Sequence, residues 1–314
     1  MSYQVFDRKL HQDAESNADQ TEFRALLFGS ANVEAGIEDD NIANSLDDYQ
    51  LDQQLDEDWA MDDAAKDSAA GLLLEKLRMR SEILGDHYPF EINGAEVSLK
   101  PGETSLVYRF CLAVSNAPNI TKGEFTKLPR EFEQIAAQVT RLMLGQGAQW
   151  LHTGWPRVQG APRKFKDLVE YIKAETNSLH EWTWSPHAGL EDDDAIKIKD
   201  CGVDYIAWHD FFNNRDGKLY VMGQCACGND WVNKFNDIKP KKLESWIRPL
   251  SLVSPIKTMA IPFCSASGYL IDSSHEDNIL LDRLRLTLIC ENNQLILEEK
   301  DNLESLIEMV KDAN

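Results

Sequence analysis

Apolar positions along the chain change period several times, and each change marks an element. Leu72, Leu73, Leu77, Ile83 and Leu84 fall on one helical face between Ala64 and Leu84, and Gly85 stops that helix. Tyr88 to Ile92, a turn at Asn93-Gly94, and Val97 to Leu99 follow, then an apolar helix from Thr104 to Ser115. Phe132, Ile135, Ala136, Val139, Leu142 and Met143 line a second amphipathic helix, Arg130 to Leu144, which Gly145 ends. Gln149 to Arg157 starts as a strand, Phe165 to Thr176 is a helix, and a long loop runs from Asn177 to Lys197 with four acids in series at 191–194. Farther on, Ile256 to Phe263 is a buried-strand run, Asp277 to Leu288 fits helix or strand, and Asn302 to Lys311 closes as a helix. Strands alternating with helices predict an α/β body whose mixed central β-sheet is flanked by helices.

The segment from Lys199 to Lys234 carries the chemistry. Val203, Tyr205, Ile206 and Trp208 make one strand-like run, residues 213–217 (NNRDG) a turn, and Leu219 to Met222 a second run, which together read as a β-hairpin. Asp204 sits in the first strand and Gln224 closes the second. A carboxylate in a buried strand is unfavourable unless it is paired or holds a metal. Asp230 to Phe235 reads as a helix that carries Lys234.

Composition narrows the setting. At 314 residues and 43% apolar content the chain can bury a large core, and it has neither an apolar run of spanning length nor a signal-peptide pattern. A cytoplasmic protein without membrane attachment is expected, its six cysteines free rather than bridged. Of the net charge of −21, residues 1–67 hold −14, from 18 acidic and 4 basic side chains. That region predicts an acidic, partly helical arm, flexible or partner-binding. Its apolar anchors Ile42, Leu46, Tyr49, Leu51, Leu55 and Trp59 suit a partner or the protein's own basic groove. Basic groups at Lys122/Lys127/Arg130, Arg157/Arg163/Lys164/Lys166 and Lys239/Lys241/Lys242/Arg248 are candidate DNA faces.

Asp204, then Gln224-Cys225-Ala226, resembles the core of the PD-(D/E)XK (restriction endonuclease-like) nuclease superfamily, in which an Asp on one hairpin strand is followed by an acid or Gln and a Lys two positions on. Ala226 occupies the Lys position, and Lys234 is the nearest substitute. The family's preceding helix often contributes a Glu, a place matched by Glu133. With residues 88–90 (YPF), 154–156 (GWP), 199–208 and 223–231, the resemblance covers about residues 70 to 314 and points to bacterial anti-phage-defence proteins. It implies a helical scaffold at 68–125 and a nuclease domain at 126–314.

The resemblance further implies Mg²⁺ or Mn²⁺ held by Asp204, Gln224, the Cys225 carbonyl and Glu133, with Lys234 as the catalytic cation. The expected activity is metal-dependent endonucleolytic hydrolysis of DNA, with a protein partner or homo-oligomer in a defence complex. The alternative is an inactive nuclease-fold subunit that binds DNA or protein. Cys225, Cys227, Cys201 and His209 form a rival zinc set, though Cys-x-Cys lacks the usual two-residue spacer. Gly223 to Gly228 is not followed by the Lys-Ser/Thr of a phosphate loop.

Overall fold

The computed structural model describes residues 2–33, 58–157, 160–190, 201–293 and 300–314. Glu191 to Asp194 and the anchors from Ile42 to Leu55 lie outside them. The chain opens with α1 (Ser2–Phe28), β1 (Ser30–Asn32) and α2 (Asp58–Leu84), followed by β2 (Phe90–Asn93) and β3 (Glu96–Leu99). These three strands form a small antiparallel sheet in the order β1-β3-β2, Ser30 opposite Ser98 and Phe90 opposite Leu99. Then come α3 (Leu106–Asn116), α4 (Lys127–Met143), β4 (Gln149–His152), α5 (Phe165–Glu175), β5 (Tyr205–His209) and β6 (Leu219–Cys225). Short α6 (Pro240–Leu243), β7 (Ile256–Ala260), α7 (Ser267–His275), β8 (Asn278–Leu281), α8 (Arg283–Asn292) and α9 (Lys300–Lys311) complete the chain.

The main sheet runs β4-β5-β6-β7-β8, antiparallel from β4 to β6 and parallel from β6 to β8, so it is the expected mixed sheet. Alternation along the strands sends Tyr205, Ala260 and Leu281 to one face, against Phe132, Ile135 and Ala136 of α4. Ile206, Trp208, Tyr220 and Met222 go to the other, under Phe165, Leu168 and Ile172 of α5 with Trp182 and Trp246. Met259 and Leu280 continue that second face toward Trp231 and Phe235. The stretch from Asp277 to Leu288, open between helix and strand in the sequence, is both: β8 ends at Leu281, and the Asp282 side chain caps α8 by accepting the Arg285 N–H at 3.0 Å.

Within the arm expected over residues 1–67, α1 is packed into the body rather than loosely folded. Ala18, Phe23, Ala25 and Leu26 belong to the largest core cluster, with Leu73 and Leu77 of α2 and Tyr108 and Phe110 of α3. Three of the region's acids lie on one stripe of α1 and point inward. Glu15, Asp19 and Glu22 meet Arg80 at 2.7, 2.8 and 2.9 Å, and Asp19 also meets Arg283 at 2.7 Å. Tyr88 and Tyr108 donate their hydroxyls to Glu22 at 2.7 and 2.8 Å. Both arginines are fully buried, so the carboxylates of α1 are what compensate their charge. The body begins with α1, and helix α2 begins at Asp58 rather than Ala64.

Candidate functional site

Strands β4, β5 and β6 meet at Asp204, which lies one residue ahead of β5 rather than within it. Its N–H donates to the Gly223 carbonyl at 2.8 Å, and its carbonyl accepts from Thr153 and Gly154 at 2.7 and 2.8 Å. With the backbone fixed on both sides, Asp204 Oδ2 accepts the Cys225 N–H at 2.7 Å. A carboxylate that receives a backbone N–H at the end of a strand is held in one place.

Two further groups reach the same point. Glu133, on the sheet-facing edge of α4, has its Oε2 2.6 Å from Nε2 of the buried His152, the last residue of β4. A β-carbon placed on Gly154 would stand 2.7 Å from Glu133 Oε2, 3.1 Å from His152 Nε2 and 3.2 Å from Asp204 Oδ1. Three polar groups therefore crowd onto one residue, and a side chain there would have to displace the Glu133 carboxylate. Arg157 closes the far side, donating to the Thr153 and Gly154 carbonyls, and its guanidinium lies 5.8 Å from the Trp155 ring centre. His152 was passed over in the sequence, where a lone histidine between Leu151 and Thr153 reads as core. The only local signal was its place just before Gly154-Trp155-Pro156.

The scaffold under this point is rigid. The Tyr205 ring lies directly on Gly223, where a β-carbon would come within 1.9 Å of Cζ. Its hydroxyl bridges Thr140 of α4 at 2.9 Å and Thr258 of β7 at 3.0 Å. Helix and sheet are thus pinned together one residue from Asp204.

Gln224 and Lys234 are held by partners of their own. Gln224 is 6% exposed. Its Nε2 donates to Asp237 Oδ2 at 3.0 Å, while its Oε1 is buried with no hydrogen-bond partner. Lys234 is not on a helix. Asp230 to Phe235 forms only a short 3₁₀ turn, Trp231–Asn233, after which Lys234 pairs with Asp230 at 3.1 Å. Ala226, at the resemblance's Lys position, is 2% exposed and packed with Trp231, Phe235 and Met259, so that strand position is closed to a long cation.

Burial pushes the Cys225 thiol well above its ordinary range, with the Asp204 and Glu133 charges adding to the effect. Cys227 is raised in the same way, first by burial and then by Glu133, Cys111 and Asp204, against an opposing pull from Lys234. Thiols held protonated are poor zinc ligands.

Among the described residues, no group of three or more His, Cys, Asp and Glu side chains is arranged to hold a metal ion. Glu133 is engaged by His152, and Asp204 by Cys225. The unpartnered Gln224 oxygen is the feature that suits a hard cation, since Mg²⁺ and Mn²⁺ take oxygen ligands and need few from protein. Also among the described residues, no helix is long and apolar enough to cross a membrane. No protein-family model, curated protein or solved structure matches this chain.

Proposed function

We propose that the Asp204 junction is the centre of a metal-dependent endonuclease acting on DNA. The observation that carries this reading is the convergence of Glu133, His152 and Asp204 on Gly154 at the strand ends. Asp204, Glu133, the Gln224 Oε1 and the Cys225 carbonyl are the oxygens that would hold Mg²⁺ or Mn²⁺. When bound, the ion acidifies a water and neutralises charge on the phosphate. His152 Nε2 and Glu133 Oε2 share one hydrogen bond, and the His152 Nδ1 is buried with no hydrogen-bond partner. His152 thereby orients the Glu133 carboxylate. Lys234 and Arg157 supply positive charge at the rim. The hairpin's resemblance extends the proposal to an effector of anti-phage defence, working with a protein partner or as a homo-oligomer.

The test is incubation of the protein with plasmid DNA and Mg²⁺ or Mn²⁺, alongside Asp204→Asn. The Asn oxygen still accepts the Cys225 N–H, so the fold is kept while the charge is lost. Cleavage is expected to fall by about 10²–10⁴, the range of a positioned proton-transfer or charged group. Undiminished cleavage by this variant overturns the assignment. A second reading rests on the closed strand position at Ala226 and the Lys234–Asp230 pair: a nuclease-fold subunit that binds DNA or protein without cutting. DNA retention in a gel shift with no cleavage under either metal would select it.

A further inference from the structure

The Gln224 amide is held by one polar contact, and that contact dictates which way it faces. Asp237 Oδ2, 3.0 Å from Nε2, can only accept, so it fixes the NH₂ end and turns Oε1 the other way. Asp237 is itself fixed: its N–H donates to the Lys234 carbonyl at 3.2 Å. Gly202, at φ +80°, brings its own backbone so close that a β-carbon there would lie 3.2 Å from the Asp237 carbonyl oxygen. The left-handed pair Cys201 and Gly202, at φ +57° and +80°, thus packs on the residue that aims the amide.

The result is a buried acceptor with no donor. Leaving such an oxygen unsatisfied is unfavourable. An ordinary core amide would turn over or recruit a hydroxyl. Here Asp237 prevents turning, and Gln224 lies one residue from Cys225, whose N–H anchors Asp204.

We propose that Asp237 is a positioning residue that presents Gln224 Oε1 as a ligand to a divalent cation. This rests on the reading of the site given above. It also sets the expected effect of a stronger ligand. Gln224→Glu alone sets a second carboxylate against Asp237, so the variant loses stability and binds Mn²⁺ no better than the natural chain. Exchanging both residues, Gln224→Glu with Asp237→Asn, restores the hydrogen bond with donor and acceptor reversed and moves the negative charge onto the ligand.

The experiment measures Mn²⁺ binding to the full-length protein by electron paramagnetic resonance, together with urea midpoints, for the natural chain, each single variant and the exchange. Asp237→Asn alone, whose side chain accepts either amide orientation, is expected to weaken Mn²⁺ binding about threefold to tenfold at an unchanged midpoint. The exchange is expected to recover the midpoint lost by Gln224→Glu and to bind Mn²⁺ at least tenfold more tightly than the natural chain. A recovered midpoint with unchanged Mn²⁺ affinity makes the Asp237 contact structural and overturns this inference alone. Absence of Mn²⁺ binding by the folded natural chain overturns the metal-dependent reading of the site, and this inference with it.

Discussion

Arg80→Met removes the cation around which the N-terminal helix is seated. In the native chain the guanidinium is fully buried and meets Glu15 through Nη2 at 2.7 Å and Nε at 3.2 Å, Asp19 at 2.8 Å and Glu22 at 2.9 Å. Met fills much of the volume but leaves three interior carboxylates. Arg283 still serves Asp19 at 2.7 Å and Glu22 at 3.5 Å, whereas Glu15 keeps only Lys76 at 3.7 Å. Breaking a buried ionic set by removing one partner is destabilising by about 3–5 kcal/mol. Against a typical total of about 5–15 kcal/mol, that is a fifth or more of the stability. Urea unfolding followed by tryptophan fluorescence and far-ultraviolet circular dichroism should show a much lower midpoint. Adding Glu15→Gln, which neutralises the acid left worst served, should recover part of the loss. A change under about 0.5 kcal/mol, the size of an ordinary surface substitution, would refute the reasoning. The same logic predicts that a chain starting at Asp58 does not fold cooperatively. It lacks every α1 carboxylate and the buried Phe23 and Leu26, each contributing about 1.5–3 kcal/mol.

Two other perturbations follow from the geometry. Gly223→Ala places a β-carbon 1.9 Å from Tyr205 Cζ and must displace the ring that joins Thr140 to Thr258. A loss of about 1–3 kcal/mol or more is expected from such overpacking, and a urea midpoint equal to the native one would refute the packing account. Asp216 is partly desolvated, which disfavours its charge, but the His180 ring and the His180 and Leu179 N–H groups outweigh this and hold its pKa below 3.8. A carboxyl depressed in the folded state stabilises above its unfolded pKa, and that stabilisation is lost as pH falls through the folded value. Asp216→Asn should therefore narrow the stability gap between pH 7 and pH 3, read as the difference in urea midpoints.

Strand and helix periodicity carried most of the body into view, because β5, β6, α4 and α5 each bury a face whose spacing is visible in the letters. The N-terminal helix was hidden for a physical reason. Glu15, Asp19 and Glu22 occupy its inward stripe, where pattern reading looks for apolar residues, and their partners Arg80 and Arg283 are far along the chain. The site was half legible. Asp204 stood out as a carboxylate beside apolar residues, and Glu133 could be placed at the edge of its helix. His152 gave no signal beyond its place ahead of Gly154, and Asp237 gave none, since each matters through a contact made across the fold, with Glu133 and with Gln224. Lys234 was placed on a helix that the sequence from Asp230 to Phe235 does not sustain. Trp231 and Phe235 instead pack edge to face, their centres 5.8 Å apart.

The hydrogen bonds between Asp19 and Arg283 join residues 264 apart. During synthesis at about 5–20 residues per second, Asp19 is added roughly 13–50 s before Arg283. Through most of that interval Arg80 is the one of the two buried arginines that Asp19 and Glu22 can meet. A nascent chain halted before Arg283 therefore holds these acids with Arg80 alone and lacks the second buried charge of its own core.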